Sequence, residues 1–467
     1  MTLRASVLAG GILVAALGMA AVLFPAAALP PAVTVSEVLP EATGVEVRWQ
    51  SSPGDLRFTL ESREALDGAA WGPVPGGDWP ATNRVFRDLR PVPGSRYFRV
   101  VAVPGPVDRG RLLAATHKTR VPQSELQVLF TLLGFPIVAE RDVVLYRVLY
   151  ETPDAHGLRT QASGLLAVPV APEGPLPMVS YQHGTVFDRN DVPSRLNLEG
   201  ALGAAFASSG YVAVLPDYLG LGDSPGFHPY HHADSTATSV VDLLRAVRTL
   251  AASEGIPLDS RLFLTGYSQG GHATLAALRE IEARHAGEFT VTACAAAAGA
   301  YDLSGVTTAD FLSGRPRPNP AYLVYLLAAM REVYGMPNYL DEPYATTVPP
   351  LLDGTRDAAA INAVLPADPT LALAPGVREA LVTDLAHPLR LVLRRNDVLD
   401  WTPRVPLRLY HCAGDTEVPV ANAQVARDAF AERGVAVEFV DPAPAADHTG
   451  CVEPTLLLIK AWFDSFR

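Results

Sequence analysis

Two serines stand in the spacing Gly-x-Ser-x-Gly, within Gly266-Tyr267-Ser268-Gln269-Gly270 and Gly222-Asp223-Ser224-Pro225-Gly226. A serine in this spacing serves as a nucleophile when a sharp turn between a strand and a helix lifts its hydroxyl clear of a sheet. The bare pattern is weak, so its surroundings decide. Leu262-Phe263-Leu264 is a buried-strand run feeding straight into the first match. Gly270 to Leu278 opens a helical run straight after it. Chemistry also separates the two. The residue after the nucleophile gives its backbone N–H to the oxyanion. Pro225 has no N–H; Gln269 has one. Ser268 is therefore the expected nucleophile and Ser224 a turn serine.

The second oxyanion donor should follow the third core strand. There the chain reads Tyr181-Gln182-His183-Gly184-Thr185. Gly184 permits an unusual turn, and Thr185 is the expected donor. One such donor contributes about 3–4 kcal/mol of barrier lowering. His183 is expected to orient or pack.

An acid and a base must follow Ser268, in that order. Asp415, in Cys412-Ala413-Gly414-Asp415-Thr416-Glu417, sits at the end of a strand run. Glu417 is the competing carboxylate, but Asp415 lies nearer the strand. Of eleven histidines, only His448 lies beyond the last strand run and before the final helix. His448 is the expected base, with Asp415 fixing its tautomer. His411 falls inside a strand run and His272 on the helix after Ser268, so both are expected to be structural.

His228-x-x-His231-His232 raises the question of a metal. No Cys partner or HExxH pattern accompanies it, so packing near the site mouth is expected, with no metal and no cofactor. Three cysteines are too few for a disulfide scaffold. Cys412 lies three residues before Asp415 and Cys451 three after His448. If acid and base touch, these cysteines start close enough to bond. Cys294, in an apolar run, is expected to be a buried free thiol.

These residues need a scaffold. From about residue 140, strand runs alternate with helical patterns, which argues βαβ units and a mainly parallel sheet. The expected strands are 143–150, 164–170, 177–181, 211–216, 261–266, 289–298, 406–412 and 435–440. About 100 residues separate the strand ending near Ala300 from that starting at Pro406, far beyond an ordinary connection. Helical patterns at 321–333 and 377–385 make this a cap, expected over 302–404. Tyr322, Leu323, Tyr325, Leu326, Met330 and Tyr334 give it apolar surface, suited to an ester with an apolar part.

Upstream the texture changes. Arg4, an apolar run from Val7 to Leu23, and Ala26-Ala27-Ala28 read as a signal peptide over 1–28. The uncharged stretch is also long enough to remain as a membrane anchor. Either way the remainder is expected outside the cytoplasm, secreted or periplasmic. Residues 32–105 carry short strand runs at 45–49, 57–61 and 97–103, as a small β-sandwich would. Residues 106–121 read as a linker, and 122–467 as the α/β unit. The composition fits packed domains: 467 residues, 49% hydrophobic and 18% charged. A net charge of −12 gives no electrostatic footprint for nucleic acid.

Residues 120–467 resemble the secretory lipase family of α/β-hydrolases. The matching pieces are Gln182-His183-Gly184-Thr185, Asp217-Tyr218-x-Gly220-x-Gly222-x-Ser224, Gly266 to Gly271, Trp401-x-Pro403-x-x-Pro406, and the Asp415 and His448 segments. Gln269 follows the bacterial branch. The sandwich resembles a fibronectin type III domain: Trp49 falls on an early core strand, and Leu89…Pro93-Gly94…Tyr97 resembles that family's tyrosine corner. The resemblance implies hydrolysis of a small-molecule or lipid carboxylic ester through an acyl-enzyme under an inserted cap. Tyr267, Asp217, Tyr218 and Tyr325 are expected to bind substrate. The rivals are a peptidase or acyltransferase on the same triad and a non-catalytic adhesion or binding protein.

Overall fold

The computed structural model describes residues 32–41, 44–52, 56–63, 71–74, 85–88, 96–104 and 108–467. The export segment expected at 1–28 lies outside these residues, as do Leu89, Pro93 and Gly94. The chain divides into two compact units, Met1–Val107 and Asp108–Arg467.

The described strands of the first unit are β1 (Ala32–Glu41), β2 (Gly44–Ser52), β3 (Leu56–Arg63), β4 (Gly72–Pro73), β5 (Val85–Asp88) and β6 (Tyr97–Pro104). They form two antiparallel sheets in the orders β1-β2-β5 and β4-β3-β6. Val47 and Trp49 point inward from β2, Phe58 and Leu60 from β3, as alternation in a half-buried strand requires. The Trp49 and Phe58 rings meet edge to face, with centroids 5.9 Å apart.

The second unit is built on nine strands: β7 (Leu112–Val121), β8 (Val143–Pro153), β9 (Arg159–Pro169), β10 (Leu176–Gln182), β11 (Val212–Pro216), β12 (Leu258–Tyr267), β13 (Val291–Ala297), β14 (Leu407–Tyr410) and β15 (Glu438–Val440). Their order is β15-β14-β13-β12-β10-β11-β9-β8-β7. The strands from β10 to β15 run parallel, whereas β9, β8 and β7 are antiparallel additions. Every residue of β10 and β11 is buried, because helices cover both faces of a parallel sheet. Helices α1 (Gln123–Leu132) and α2 (Leu198–Ser208) pack on one face with the C-terminal helix Val452–Asp464. Helices α3 (Ala233–Glu254) and α4 (Gln269–Glu280) pack on the other with the helix Ala421–Glu432. Cys294 is fully buried in that second core.

The linker reading of 106–121 is corrected here. Strand β7 occupies 112–121 and pairs with β8 from Leu112↔Tyr150 to Val121↔Val143. Six consecutive residues of β7 are exposed. Such an edge strand shows no inward–outward alternation, so its Thr116-His117-Lys118-Thr119-Arg120 run imitates a linker. The α/β unit accordingly begins near Asp108, ahead of the expected 122.

Between β13 and β14 the chain builds a helical layer with its own core. Leu323, Val324 and Leu327 from the helix Ala321–Tyr334 meet Ile361, Leu381 and Leu389 there. Gly335, at φ 67°, ends that helix in the left-handed conformation that glycine adopts freely.

Candidate active site

The site forms where the parallel strands end. Strand β12 leads into Ser268, and α4 begins at the next residue. Ser268 holds φ 60° and ψ −123°, a conformation that is uncommon for a residue bearing a Cβ and whose strain the surroundings must sustain. Close packing enforces the turn. A Cβ on Gly270 would lie 1.9 Å from the Gln182 carbonyl oxygen, and one on Gly271 would lie 2.2 Å from that of Ala297. The Ser268 amide donates to the Ala297 carbonyl at 3.0 Å. Gln269 opens the first turn of α4, so its N–H has no acceptor within the helix.

Ser268, His448 and Asp415 form one continuous relay. His448 Nε2 lies 2.9 Å from Ser268 Oγ. His448 Nδ1 lies 2.6 Å from Asp415 Oδ2. Oδ1 of Asp415 accepts from the backbone N–H groups of Glu417 and Val418, both at 2.9 Å. Burial alone would raise the Asp415 pKa. Hydrogen bonds and charge from His411 and His448 outweigh it and hold the carboxyl well below the usual carboxylate range. Glu417, the competing acid, makes no contact with His448; it accepts from Asn319 Nδ2 at 2.9 Å and lines the pocket over Ser268. The Cys412 and Cys451 sulfurs are bonded at 2.01 Å, with Cα atoms 6.0 Å apart.

The loop after β10 runs beside Ser268. A Cβ on Gly184 would lie 3.9 Å from Ser268 Cβ. The Gly184 N–H donates to Glu199 Oε1 at 2.8 Å, from the first turn of α2. Thr185 Oγ1 and the Tyr230 hydroxyl are 2.9 Å apart. The His183 ring stacks near Tyr218 at 4.3 Å and faces the carbonyl oxygens of Gly184 and Asp217.

The three clustered histidines have separate tasks. His228 Nδ1 is 2.8 Å from the Leu219 carbonyl, which can only accept, so this nitrogen carries the proton. Its Nε2 then receives Gln269 Nε2–H at 2.8 Å. Burial pushes His228 down to about 4, so the ring is neutral at physiological pH. His231 meets the His272 ring edge to face at 4.8 Å. His232 caps α3 through the Ser235 N–H. His272 Nε2 contacts the Asn396 carbonyl at 2.8 Å.

A pocket opens over Ser268 and Gln269, walled by Tyr230, Leu303, Tyr322 and Leu326. The helical layer between β13 and β14 thus supplies apolar surface beside Ser268. A neighbouring cleft is lined by Phe187, Phe227 and Tyr325.

Three of the four residues expected to bind substrate use their polar groups within the protein. The Tyr267 hydroxyl donates to the His448 carbonyl oxygen at 2.7 Å. Asp217 is fully buried and accepts from Ser163 Oγ at 2.6 Å and the Ser194 N–H at 3.0 Å. The Tyr218 hydroxyl donates to the His183 carbonyl oxygen at 3.1 Å. All three turn inward because the loops at the strand ends need partners for their polar groups. Tyr325 lines the cleft beside the Ser268 pocket. Sequence reading missed Glu199 and Tyr230; His411, expected to be structural, is fully buried but also reaches Asp415 Oδ2 at 3.2 Å. His411 alone left a trace, standing four residues before Asp415 at the strand end.

Comparisons with known proteins agree with this architecture. The secretory lipase family pattern matches residues 194–312. A Legionella pneumophila protein assigned as a hydrolase is 30% identical, with a TM-score of 0.72, over 76% of this chain and 98% of its own. The rice cell wall degrading esterase LipA from Xanthomonas oryzae is 29% identical, with a TM-score of 0.68, over 77% of this chain and 100% of its own. Candida antarctica lipase A shares the fold at 18% identity and a TM-score of 0.57, over 77% of this chain and 83% of its own. No match was found among curated proteins. With an α/β-hydrolase sheet, the family pattern and 30% identity across nearly a whole related hydrolase, the chain belongs to the secretory lipase family.

Proposed function

We propose that the chain is an exported serine hydrolase that cleaves carboxylic esters through an acyl-enzyme. The observation that carries this reading is the Ser268–His448–Asp415 relay, at 2.9 and 2.6 Å. In the reaction, Ser268 Oγ attacks the ester carbonyl carbon and His448 Nε2 takes the hydroxyl proton. Asp415 holds Nδ1–H and stabilises the imidazolium that forms. The N–H groups of Gln269 and Thr185 receive the developing oxyanion. Collapse expels the alcohol with the proton from His448. Water, activated by the same imidazole, then releases the acid.

Apolar walls from Leu303, Tyr322 and Leu326 support an ester with an apolar acyl or alcohol part. The N-terminal run, the Cys412–Cys451 bond and the family support export, since disulfides persist in oxidising compartments. Among the described residues no helix is long and apolar enough to cross a membrane.

The test combines turnover with labelling. The protein should hydrolyse p-nitrophenyl esters well above aminoacyl amides, and a fluorophosphonate should label it. Ser268→Ala should abolish both; Ser224→Ala should abolish neither. No turnover across an acetyl-to-palmitoyl panel, together with no labelling, would sink the enzyme reading.

A further inference from the structure

Asp415 Oδ2 receives two imidazoles. His448 Nδ1 lies at 2.6 Å and His411 Nε2 at 3.2 Å. His411 is fully buried, one residue beyond β14. Its backbone N–H donates to the Val440 carbonyl of β15 at 3.0 Å, so the sheet edge fixes its place. Its Nε2 also lies 2.9 Å from the Val418 carbonyl oxygen. A carboxylate and a carbonyl both only accept, so Nε2 bears the ring proton. Nδ1 has no partner.

Resting on the ester-hydrolase reading above, we propose that His411 is a positioning residue for the triad: its Nε2–H holds Asp415 Oδ2 in line with His448 and takes up part of that oxygen's charge. An oxygen shared by two donors binds each less strongly than one serving a single donor. His411 therefore sets how tightly Asp415 stabilises the imidazolium that forms during the reaction, and with it the acid limb of the rate profile. The titratable and charged groups around the relay include Tyr267, Tyr301, Tyr322, Glu417 and Asp447, and Arg315, which donates to the Thr416 carbonyl oxygen at 2.8 Å. Burial raises the three tyrosines, so they stay neutral across the working range.

The experiment is the pH dependence of kcat/KM for p-nitrophenyl butyrate, on the full chain and its His411→Phe and His411→Gln variants. Phenylalanine keeps bulk and removes the donor. Asp415 Oδ2 then serves His448 alone, the imidazolium is stabilised, and the acid limb moves upward. The expected shift is roughly half a pH unit or more, with kcat down about tenfold and KM within about twofold. Glutamine offers an N–H to the same oxygen and should keep the limb at its wild-type position. An unmoved limb in His411→Phe, or equal shifts in both variants, would overturn the proposal.

A second measurement needs no variant. Nitrogen-15 spectra of histidine-labelled wild-type protein should show His411 as the neutral Nε2–H tautomer; an Nδ1–H tautomer would overturn it. If the wild type lacked Ser268-dependent turnover, the ester-hydrolase reading would fail instead, and the tautomer would still judge the contact.

Discussion

The hydroxyl of Tyr267 donates to the carbonyl oxygen of His448 at 2.7 Å, and the two rings lie 5.1 Å apart. The residue before Ser268 thus grips the loop that carries His448. One strand end sets Ser268 directly and His448 through this bond.

Tyr267→Phe removes only the hydroxyl. A neutral hydrogen bond of about 0.5–1.5 kcal/mol predicts a fall of roughly 2–10-fold in kcat. KM should hold, because the hydroxyl faces protein backbone. Steady-state kinetics decide the matter. A raised KM at unchanged kcat would instead mark a substrate contact.

The Cys412–Cys451 bond links the acid loop to the base loop, three residues from Asp415 and three from His448. Replacing both cysteines by serine should cost about 2–4 kcal/mol of stability. Activity should fall at temperatures where the protein is still folded, because the relay depends on both loops. Chemical denaturation and ester turnover at 25 °C, measured on one sample, check the two effects separately.

Ser268 sits at φ 60°, and glycine reaches that region without a Cβ penalty. Ser268→Gly should abolish turnover while raising stability by about 1–3 kcal/mol. Ser268→Ala should abolish turnover without that gain, since it keeps the Cβ. Paired melting curves for the two variants and the wild type test whether the turn stores strain.

Much of this arrangement is legible in the sequence. Ser268, Asp415 and His448 each stood beside a strand run in the order an α/β-hydrolase requires, and Cys412 and Cys451 flanked two of them at equal spacing. What stayed hidden depended on side-chain direction. Tyr267, Asp217 and Tyr218 lie within motifs, yet they point into loops whose backbone groups need partners. His411 was masked because its apolar surroundings read as strand. Strand β7 was masked because an edge strand with both faces wet has no period.

Burial depresses His228 and His272, each to about 4, from an ordinary 6.5. The unfolded chain therefore takes up protons at a higher pH than the folded one. Their effect is absent above about pH 6.5 and costs stability as pH falls from there toward 4, by up to about 3 kcal/mol per ring. Asp397 acts in the opposite sense. Burial raises it to about 6, so its protonation favours the fold as pH falls from 6 toward 4. Burial also lowers His231 and His232 and raises Asp217, Asp242 and Glu282; the expectation is that the four rings outweigh the four carboxyls. Urea midpoints at pH 7, 5.5 and 4.5 should fall in that order, and His272→Gln, which keeps a donor for the Asn396 carbonyl, should flatten the decline.

The proposed reaction turns on an acyl-enzyme at Ser268. The most direct measurement is intact mass after rapid acid quench of the protein with p-nitrophenyl butyrate, followed by peptide mapping. One butyryl group should appear, on the peptide holding Ser268, and it should vanish in Ser268→Ala. Steady ester turnover that persists in Ser268→Ala, or a butyryl group mapped to another residue, would contradict the account.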